Sequence, residues 1–424
     1  MDLELMHPRD QITMIMERIY GYGMTTTSGG NLSIRDEDGG IWITPAGTDK
    51  GVLKPEDVVR VAEDGCATGF HEPSSELPFH AALYRRRPDV NAVLHAHPPA
   101  LVSFSIMRRI PDTRIIPKAR DICGDVGFAG YAMPGSEELG ENIASAFEKG
   151  FKTVLLENHG VVTVGSSLFS AFQRFETLDF CGRLILKASI LGAPRPLRPD
   201  QLSMIEHKQN YLPEYVPGRR SSREKELRKR ICEMVQRAYD QRLITSTEGT
   251  FSCRLDAESF VITPYGKDRK YLEVSDLIVI RSARREQGRI PSRSVRLHHR
   301  IYDEHPDIHA VIIAHPTNVM AFGVSGRPFD TRVIPESYIV LRDIPVIPFG
   351  PQFIDVSQLS ARISTSSPLL MVENDCLLTT GKDLLEAYDR LEVAEFSAKA
   401  IIAAKPVGDV IPIRDNDIAK LEHL

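Results

Sequence analysis

Residues 90–97 read Val90-Asn91-Ala92-Val93-Leu94-His95-Ala96-His97, a largely apolar run that closes on two histidines. A short apolar run of this kind predicts a buried β-strand. Side chains two positions apart on a strand point to the same face of the sheet, so His95 and His97 would present both imidazoles to one side. Two imidazoles on one face suit a metal ion, and we expect this strand to be the centre of a metal site.

An internal repeat organises the chain around this strand. Residues of the first half recur at an offset of 219, with Arg18, Tyr20, Gly30, Ser33, Ile43, Thr44, Pro45 and Gly47 returning as Arg237, Tyr239, Gly249, Ser252, Ile262, Thr263, Pro264 and Gly266. The offset slips to 218 at Pro88 and to 216 at Ala171, as small deletions in a duplicated domain would produce. Residues 206–222 are rich in proline, arginine and serine, which suits a linker. We therefore predict one domain over 1–205 and a second over 222–424.

Each copy shows the same alternation of elements. The first copy predicts a helix over 9–22, a glycine-rich turn over 28–33, a strand near 40–44, a helix starting near Ser74, the strand 90–97, a strand near 151–157 and a helix over 168–191. Alternating strands and helices predict an α/β domain built around a mixed sheet.

Composition excludes several classes of protein. The 424 residues are 42% hydrophobic and 26% charged with a net charge of −5, which are ordinary values for globular domains. Neither a run of about 20 apolar residues nor a signal peptide is found, so we expect a cytoplasmic protein without a membrane partner. The six cysteines form no paired motif and are expected to be free thiols. The basic run that ends at Arg230 is expected to be a solvated helix face, so no nucleic-acid partner is predicted.

The two copies differ at the residues that would bind the metal. His159, in the segment Glu157-Asn158-His159-Gly160, is the third histidine of a facial set that leaves coordination positions for a carboxylate, water or substrate. In the second copy only one imidazole remains, because His97 aligns with His315. His95 aligns with Ile313 and His159 with Asp375. Glu76 aligns with Ser294. We therefore predict one ion per chain, Zn²⁺ with Mn²⁺ or Co²⁺ as substitutes, in the first copy.

The first copy resembles the class II aldolase/adducin family, which includes fuculose-phosphate aldolase and ribulose-phosphate 4-epimerase. The matching motifs run nearly its whole length and are Gly30-Asn31-Leu32-Ser33, Thr44-Pro45-Ala46-Gly47, Ser74-Ser75-Glu76, His80, Pro88-Asp89, His95-Ala96-His97-Pro98, Tyr131-Ala132-Met133-Pro134-Gly135 and Glu157-Asn158-His159-Gly160. The second copy resembles the same family without its metal ligands, as in the non-enzymatic adducin head domains. The resemblance implies two tandem class II aldolase-like domains, each a three-layer α/β/α structure with a central mixed sheet.

The resemblance also implies a role for each matched residue. His95, His97 and His159 would hold a divalent ion that acts as a Lewis acid on a carbonyl. Glu76 would bind the ion before substrate arrives and then serve as acid or base, with His80 as an orienting neighbour. The phosphate subsite would comprise Ser28, Asn31, Gly47, Ser74 and Ser75. From the residues alone, Glu76 also suits a simple helix start, and the turn over 28–33 also suits a turn without a ligand.

Two departures from the family concern the substrate. Ala46 stands where sugar-phosphate aldolases carry serine or threonine, and residues 98–130 lack the tyrosine that those aldolases supply from a neighbouring subunit. The candidates to replace that tyrosine are Arg114, Lys118, Arg120 and Asp121. The predicted function is a metal-dependent aldolase or carbon–carbon lyase acting on a hydroxylated carbonyl compound, a phosphorylated sugar. The alternatives are a decarboxylase, dehydratase or epimerase on the same scaffold, or an adducin-like binding protein.

The resemblance also leads to a predicted assembly. Single-domain members of the family form four-fold rings in which each active site borrows residues from the next subunit. Two chains of this protein would supply four such domains, with active and silent copies alternating around the ring. We therefore predict a homodimer with pseudo-four-fold arrangement of domains, in which the second copy completes the wall of the active site.

Overall fold

The computed structural model describes residues 3–207 and 212–421 of the chain, so residues 208–211 of the predicted linker lie outside the described residues. The chain divides into two compact units, one made of 2–113 and 118–183 and the other chiefly of 114–117 and 184–424. The division falls inside the helix 168–191, because the end of that helix packs with later residues: Lys187 Nζ donates a hydrogen bond to Thr317 Oγ1 at 2.6 Å. The domain limits 1–205 and 222–424 remain predictions, and we use "first copy" and "second copy" for those two parts.

The described chain up to residue 191 contains eight strands and six α-helices. The strands are β1 (Asn31–Arg35), β2 (Ile41–Ile43), β3 (Val59–Val61), β4 (Ala67–Thr68), β5 (Ala92–Ala96), β6 (Gly127–Ala129), β7 (Thr153–Leu156) and β8 (Val161–Gly165). The helices are α1 (Pro8–Gly21), α2 (Leu77–Arg86), α3 (Pro99–Ile106), α4 (Pro117–Cys123), α5 (Glu137–Glu148) and α6 (Leu168–Leu191).

The rest of the described chain contains nine strands and nine α-helices. The strands are β9 (Glu214–Tyr215), β10 (Thr250–Arg254), β11 (Ser259–Ile262), β12 (Ile278–Arg281), β13 (Arg284–Glu286), β14 (Ala310–Ala314), β15 (Val346–Ile347), β16 (Leu369–Val372) and β17 (Cys376–Gly381). The helices are α7 (Pro199–Ser203), α8 (Ser222–Asp240), α9 (Val295–Glu304), α10 (Thr317–Ser325), α11 (Pro335–Leu341), α12 (Pro351–Ile354), α13 (Ser357–Ser360), α14 (Leu384–Ala404) and α15 (Asp415–Leu421).

Strand order confirms the duplication that the repeat predicts. The first sheet runs β4-β3-β2-β1-β5-β8-β7-β6, and the second runs β13-β12-β11-β10-β14-β17-β16-β15 with β9 added beyond β13. Both sheets are mixed, because β6 pairs with β7, and β15 with β16, in parallel, whereas the other equivalent pairs are antiparallel. Strand β9 comes from the predicted linker, so part of that segment is ordered by pairing with Arg285 and Glu286.

Helices cover both faces of each sheet. In the first copy, α2 and α5 pack one apolar core with strand residues such as Val93 and Val162. Thr163 points to the opposite face, where its hydroxyl donates to the carbonyl of Ala171 in α6 at 2.9 Å. Thr379 makes the same bond to Ala387 of α14 in the second copy, at 2.8 Å. The three-layer α/β/α architecture is therefore confirmed for both copies.

One sequence expectation fails at the helix that opens the second copy. The basic run is predicted to be a solvated helix face, but Arg228 of α8 is buried between two carboxylates. Its guanidinium contacts Glu224 and Glu286, both at 2.8 Å, and only 2% of the residue is exposed. Burial is tolerated because the charge is paired on both sides, a pattern that a window of basic residues does not reveal.

No helix within the described ranges is long and apolar enough to span a membrane.

Candidate metal centre

Three histidines meet at the end of strand β5. His95 lies on β5, His97 follows the strand, and His159 lies in the turn between β7 and β8. One nitrogen of each ring lies within 4.8 Å of the others, so a single ion can be reached by all three. The predicted strand 90–97 is two residues shorter at its start and one at its end, and His95 and His97 are brought together as the i, i+2 spacing predicts.

The histidine nitrogens are in the state that a metal ion requires. His95 Nδ1 is 3.1 Å from the carbonyl of Val161, so Nδ1 carries the proton and Nε2 keeps a free lone pair. Burial lowers the pKa of His95 well below its usual value and lowers the pKa of His97 to about 4, so both rings are neutral at pH 7. Within the described part of the chain, His95 Nε2, His97 Nε2 and His159 Nδ1 have no hydrogen-bond partner although they are buried. These residues fit a divalent cation.

Glu76 faces the same point as the histidines. Its Oε2 lies 3.4 Å from His95 Nε2, and its Oε1 lies 3.8 Å from His159 Nε2. Because the His95 nitrogen offers a lone pair, it and the carboxylate are two acceptors facing each other, an arrangement that a cation between them would stabilise. Glu76 occupies the N-cap position of α2, yet its side chain makes no capping hydrogen bond. The simple helix-start interpretation therefore does not account for it.

A buried chain of hydrogen bonds holds Glu76 from behind. Asn31 Nδ2 donates to Glu76 Oε2 at 2.6 Å, and Asn31 Oδ1 lies 2.5 Å from His80 Nε2. The amide oxygen can only accept, so His80 Nε2 carries the ring proton and Nδ1 accepts from Ser33 Oγ at 2.6 Å. Ser33 in turn accepts from the hydroxyl of Tyr84 at 2.7 Å. Burial lowers the pKa of His80 to about 3, so this ring stays neutral and its donor direction is fixed.

Glycines bring the backbone close to His97. A Cβ on Gly29 would lie 2.9 Å from His97 Nδ1, and a Cβ on Gly160 would lie 2.7 Å from His97 Cδ2 and 2.6 Å from the carbonyl of Ala96. The second copy has Glu248 and Cys376 at these two positions. The backbone can therefore approach His97 this closely only because residues 29 and 160 are glycines. The residues at the equivalent positions of the second copy have side chains.

The turn that carries His159 is anchored at both ends. The backbone amide of His159 donates to Ser105 Oγ at 3.0 Å, and Ser105 Oγ donates to the carbonyl of Leu156 at 2.5 Å. Glu157 pairs with Arg108 at 2.7 Å and accepts from the backbone amide of Tyr131 at 3.0 Å. Sequence reasoning predicts neither Ser105 nor Arg108, because their roles depend on contacts about 50 residues away along the chain.

Backbone hydrogen bonds bring the predicted phosphate segments together. The amide of Ser74 donates to the carbonyl of Thr44 at 3.1 Å, which places the turn containing Gly47 beside the start of α2, and the amide of Lys50 donates to Thr27 at 2.9 Å, next to Ser28. Ser28, Gly47 and Ser75 are exposed, whereas Ser74 is buried and accepts from the amide of Glu76 at 3.3 Å. Asn31 differs from the others, because its amide already bonds Glu76 and His80.

A buried lysine beside this turn escapes prediction from the sequence. Lys50 Nζ donates to the carbonyl of Pro45 at 2.6 Å, and burial lowers its pKa to about 8. Arg269 stands at the repeat position and donates to the carbonyl of Pro264 at 2.9 Å. A basic residue at both repeat positions is the signal that could have identified it.

Of the candidates for the missing tyrosine, Lys118 pairs with Asp121 at 3.0 Å and Arg120 pairs with Asp125.

The fold and this constellation of residues match one known family. The family model described as the class II aldolase and adducin N-terminal domain matches residues 10–186 and again residues 229–402. The chain therefore belongs to the class II aldolase/adducin family, and it contains two copies of the family domain.

Individual relatives match less than half of the chain. The 3-oxo-tetronate 4-phosphate decarboxylase of Escherichia coli is 34% identical over 194 residues, 45% of this chain and 89% of the relative. The 5-deoxy-D-ribulose 1-phosphate aldolase of Bacillus thuringiensis is 31% identical over 216 residues, 48% of this chain and 96% of the relative. A solved structure of an L-fuculose 1-phosphate aldolase is 29% identical, with 48% of this chain and 96% of that chain covered and a TM-score of 0.43.

Proposed function

We propose that the first copy is a metal-dependent lyase that cleaves a carbon–carbon bond in a phosphorylated, hydroxylated carbonyl compound. The observation that carries this proposal is the convergence of three neutral imidazoles and Glu76 on one point. His95, His97 and His159 would hold the ion, for which Zn²⁺ suits the imidazole donors and Mn²⁺ or Co²⁺ are substitutes. When bound, the ion supplies Lewis-acid polarisation of the substrate's carbonyl oxygen.

Glu76 is proposed as the proton carrier of the reaction. Its carboxylate faces the histidines, and Asn31 fixes one of its oxygens by a 2.6 Å hydrogen bond. Aldol cleavage of the carbon–carbon bond removes the proton from the hydroxyl of the departing fragment, which becomes an aldehyde, and leaves an electron pair on the retained fragment, which must then take up a proton. A carboxylate held within reach of the reacting carbonyl can perform both transfers.

The proposed phosphate subsite consists of Ser28, Asn31, Gly47, Ser74 and Ser75. Exposed hydroxyls and backbone amides at the start of a helix suit a phosphate group. The residues Arg114, Lys118, Arg120 and Asp121 stay candidates for the position of the missing tyrosine. The relatives support a phosphorylated substrate, since the decarboxylase of Escherichia coli and the aldolase of Bacillus thuringiensis both carry a phosphate in the name of their substrate.

Decarboxylation is the second candidate. The decarboxylase relative is 34% identical over 194 residues and is thus as similar to this chain as the aldolase relatives are, and the absence of tyrosine from residues 98–130 removes a residue that the sugar-phosphate aldolases use. Both reactions break a carbon–carbon bond beside a carbonyl, so the same histidines and Glu76 would serve either one. They differ in the second product, which is carbon dioxide for one and an aldehyde for the other.

Product analysis tests the proposed function. Purified protein with Zn²⁺ restored is incubated with a panel of ketose phosphates and 3-oxo-acid phosphates, and aldehyde and carbon dioxide release are both measured. We expect one substrate class to turn over and the activity to disappear after chelation and return with the metal. Stoichiometric metal binding without turnover of any member of the panel would favour another reaction on this scaffold, and the absence of metal would favour an adducin-like binding role.

The assembly is proposed to be a homodimer in which domains of the two kinds alternate. The first copy alone, residues 1–205, is then expected to be poorly active or to form a four-membered ring. Mass measurement in solution on the full chain and on this fragment tests the proposal. A fully active monomeric fragment would contradict it.

A further inference from the structure

A cavity of about 480 Å³ is lined by residues of the second copy and of the segment just before it. It lies beside helix α9, between the β12–β13 hairpin and the segment around Val356. Its apolar part includes Leu212, Val295 and Val356, and its polar part includes three arginines, Arg284, Arg296 and Arg300. A cavity of this volume with an apolar floor and a few charged groups has the size and character of a small-molecule site.

The helix of the first copy that corresponds to α9 has a different neighbour. There α5, between β6 and β7, packs along α2: a Cβ on Gly140 would lie 3.6 Å from Phe79, and Arg86 pairs with Glu141 at 2.6 Å. In the second copy the equivalent connection, between β15 and β16, forms only the four-residue helices α12 and α13. Helix α9 therefore packs against short helices such as α13, whose Leu359 shares a core with Ile301, and not against one long helix.

The exposed face of α9 has also changed its chemistry. With His80 aligned on His298, the residues Pro78, Ala81 and Ala82 of the first copy correspond to Arg296, His299 and Arg300. Two uncharged positions have become arginines, and these two arginines are four residues apart on the same helix face. Both line the cavity.

Two of the three arginines have no carboxylate partner among the residues that the structure describes. Arg300 pairs with Glu304 at 2.5 Å, and His299 pairs with Asp303 at 2.9 Å. Arg284 donates to the carbonyl of Glu214 at 2.6 Å, and the side chain of Arg296 makes neither a hydrogen bond nor an ion pair with any part of the described chain. The positive charges of Arg284 and Arg296 are therefore available to an anion.

The backbone at the rim is held in an unfavourable conformation. Ser282 and Ala283 both have left-handed φ angles, 45° and 59°, in the two-residue turn between β12 and β13. Such turns favour Asn-Gly, and a residue with a Cβ adopts this conformation at a cost of about 1 kcal/mol. The turn is followed directly by Arg284, so the strained conformation sets the direction of an arginine that lines the cavity.

We propose that this cavity binds an organic anion, a phosphate or carboxylate attached to an apolar group, with Arg284 and Arg296 contacting the anion and Val295 and Val356 contacting the apolar group. The site would make the second copy a binding domain, although it has lost the metal ligands. The proposal is independent of the reaction assigned to the first copy, because none of the residues that it uses belongs to that copy.

Calorimetric titration of the full chain with phenyl phosphate tests the site, and benzoate and inorganic phosphate are separate arms. We expect phenyl phosphate or benzoate to bind more tightly than inorganic phosphate, because only the organic anions fill the apolar part. The two organic arms distinguish a phosphate from a carboxylate ligand. Equal affinity for inorganic phosphate and both organic anions would overturn the proposal, since it would indicate charge attraction alone.

Two variants locate the binding event. Arg284→Ala/Arg296→Ala removes both charges that would contact the anion and is expected to weaken binding about tenfold or more. Val356→Trp fills the cavity and is expected to abolish binding of the organic anion while all the charges remain. Arg223→Ala, on the exposed start of α8, is the matched control and should change nothing. A separate binding event at the phosphate subsite of the first copy would persist in all of these variants.

The contrary outcomes are equally specific. An isotherm that is unchanged in both cavity variants would show that the anion binds elsewhere. An equal loss in the Arg223→Ala control would show unspecific attraction to positive charge. Circular dichroism of each variant establishes that the fold is retained, and the arginine variant tests the proposal even if Val356→Trp fails to fold.

Discussion

The two copies share a buried chain of three hydrogen-bonded side chains and differ in the residue that extends this chain. In each, a tyrosine, a serine and a histidine are joined in the same way: Tyr84–Ser33–His80 in the first copy and Tyr302–Ser252–His298 in the second. In the first copy Asn31 extends this chain to Glu76, whereas Thr250 in the second copy bonds Ser292 at 2.5 Å. His298 Nε2 is consequently buried without a hydrogen-bond partner among the described residues.

This difference distinguishes residues that stabilise the fold in both copies from residues that occur only in the copy with the three histidines. The three-residue chain persists where no metal ligands remain, so it stabilises the packing of α2 and α9 on their sheets. Asn31 and Glu76 occur together with the three histidines and are both replaced in the second copy, which supports the proposed role of Glu76 in the reaction and of Asn31 in positioning it. At the positions of Gly29 and Ser75 the second copy has Glu248 and Arg293, whose side chains lie 3.7 Å apart, so the residues of the predicted phosphate subsite are not repeated there.

The largest expected effect comes from replacing the aligned histidines His97 and His315 of the two copies in turn. His97→Ala is expected to lose the ion and to reduce activity below detection, because Lewis-acid stabilisation is worth several kcal/mol. His315→Ala is the matched variant, and it should leave metal content at one ion per chain and activity unchanged. Elemental analysis and activity measured on the same preparations check both. Two ions in the unaltered chain, or one ion retained in His97→Ala, would contradict the comparison.

A smaller loss is expected when only the proton carrier is removed. Glu76→Gln keeps the shape of the side chain and its contact with Asn31 but cannot transfer a proton, so we expect activity to fall about 10²–10⁴-fold. The ion should remain, since three histidines still hold it. Ser294→Ala, at the equivalent position of the second copy, is the control. Activity within a few-fold of the unaltered enzyme in Glu76→Gln would assign proton transfer to another group.

Replacing Asn31 by the residue of the second copy tests its role as a positioning residue. Asn31→Thr breaks the link between His80 and Glu76, and a decrease of about 10–100-fold in activity is expected, as for other residues that orient a metal-site group. If Asn31 only positions Glu76, kcat should fall while KM changes little. A rise in KM would instead indicate that Asn31 binds the phosphate of the substrate. Thr250→Asn in the second copy is the reciprocal control and should not alter activity.

The sequence predicted which histidines the structure brings together better than it predicted the groups that hold them in place. His95, His97, His159 and Glu76 could be found because their chemistry is carried by residue type and short spacing, and the repeat showed where it had been lost. The bond from Asn31 to Glu76 and the burial of Lys50 depend on packing between segments far apart in sequence. Arg228 illustrates the same limit, since a basic window gave no indication of the two carboxylates around one of its members.

The smallest expected effect concerns acid stability and distinguishes the copies by their numbers of buried histidines. Burial lowers the pKa of His80 and His298 to about 3, and it also lowers the pKa values of His95, His97, His159 and His315. Each group is neutral in the folded state and takes up a proton on unfolding below pH 6.5. The stability that is present above this pH is therefore lost as the pH falls, by about 1.4 kcal/mol per pH unit for each fully buried ring.

Four of these six histidines lie in the first copy, so metal-free protein is expected to lose the first copy at a higher pH than the second. Trp42, the single tryptophan, is buried in strand β2 and reports on the first copy alone. In an acid titration from pH 7, its fluorescence should change before the far-ultraviolet circular dichroism reaches its midpoint. Added Zn²⁺ binds the neutral imidazoles and should move the tryptophan transition to lower pH. A tryptophan transition later than the dichroism midpoint would show that the metal-site histidines do not determine the relative acid stability of the two copies.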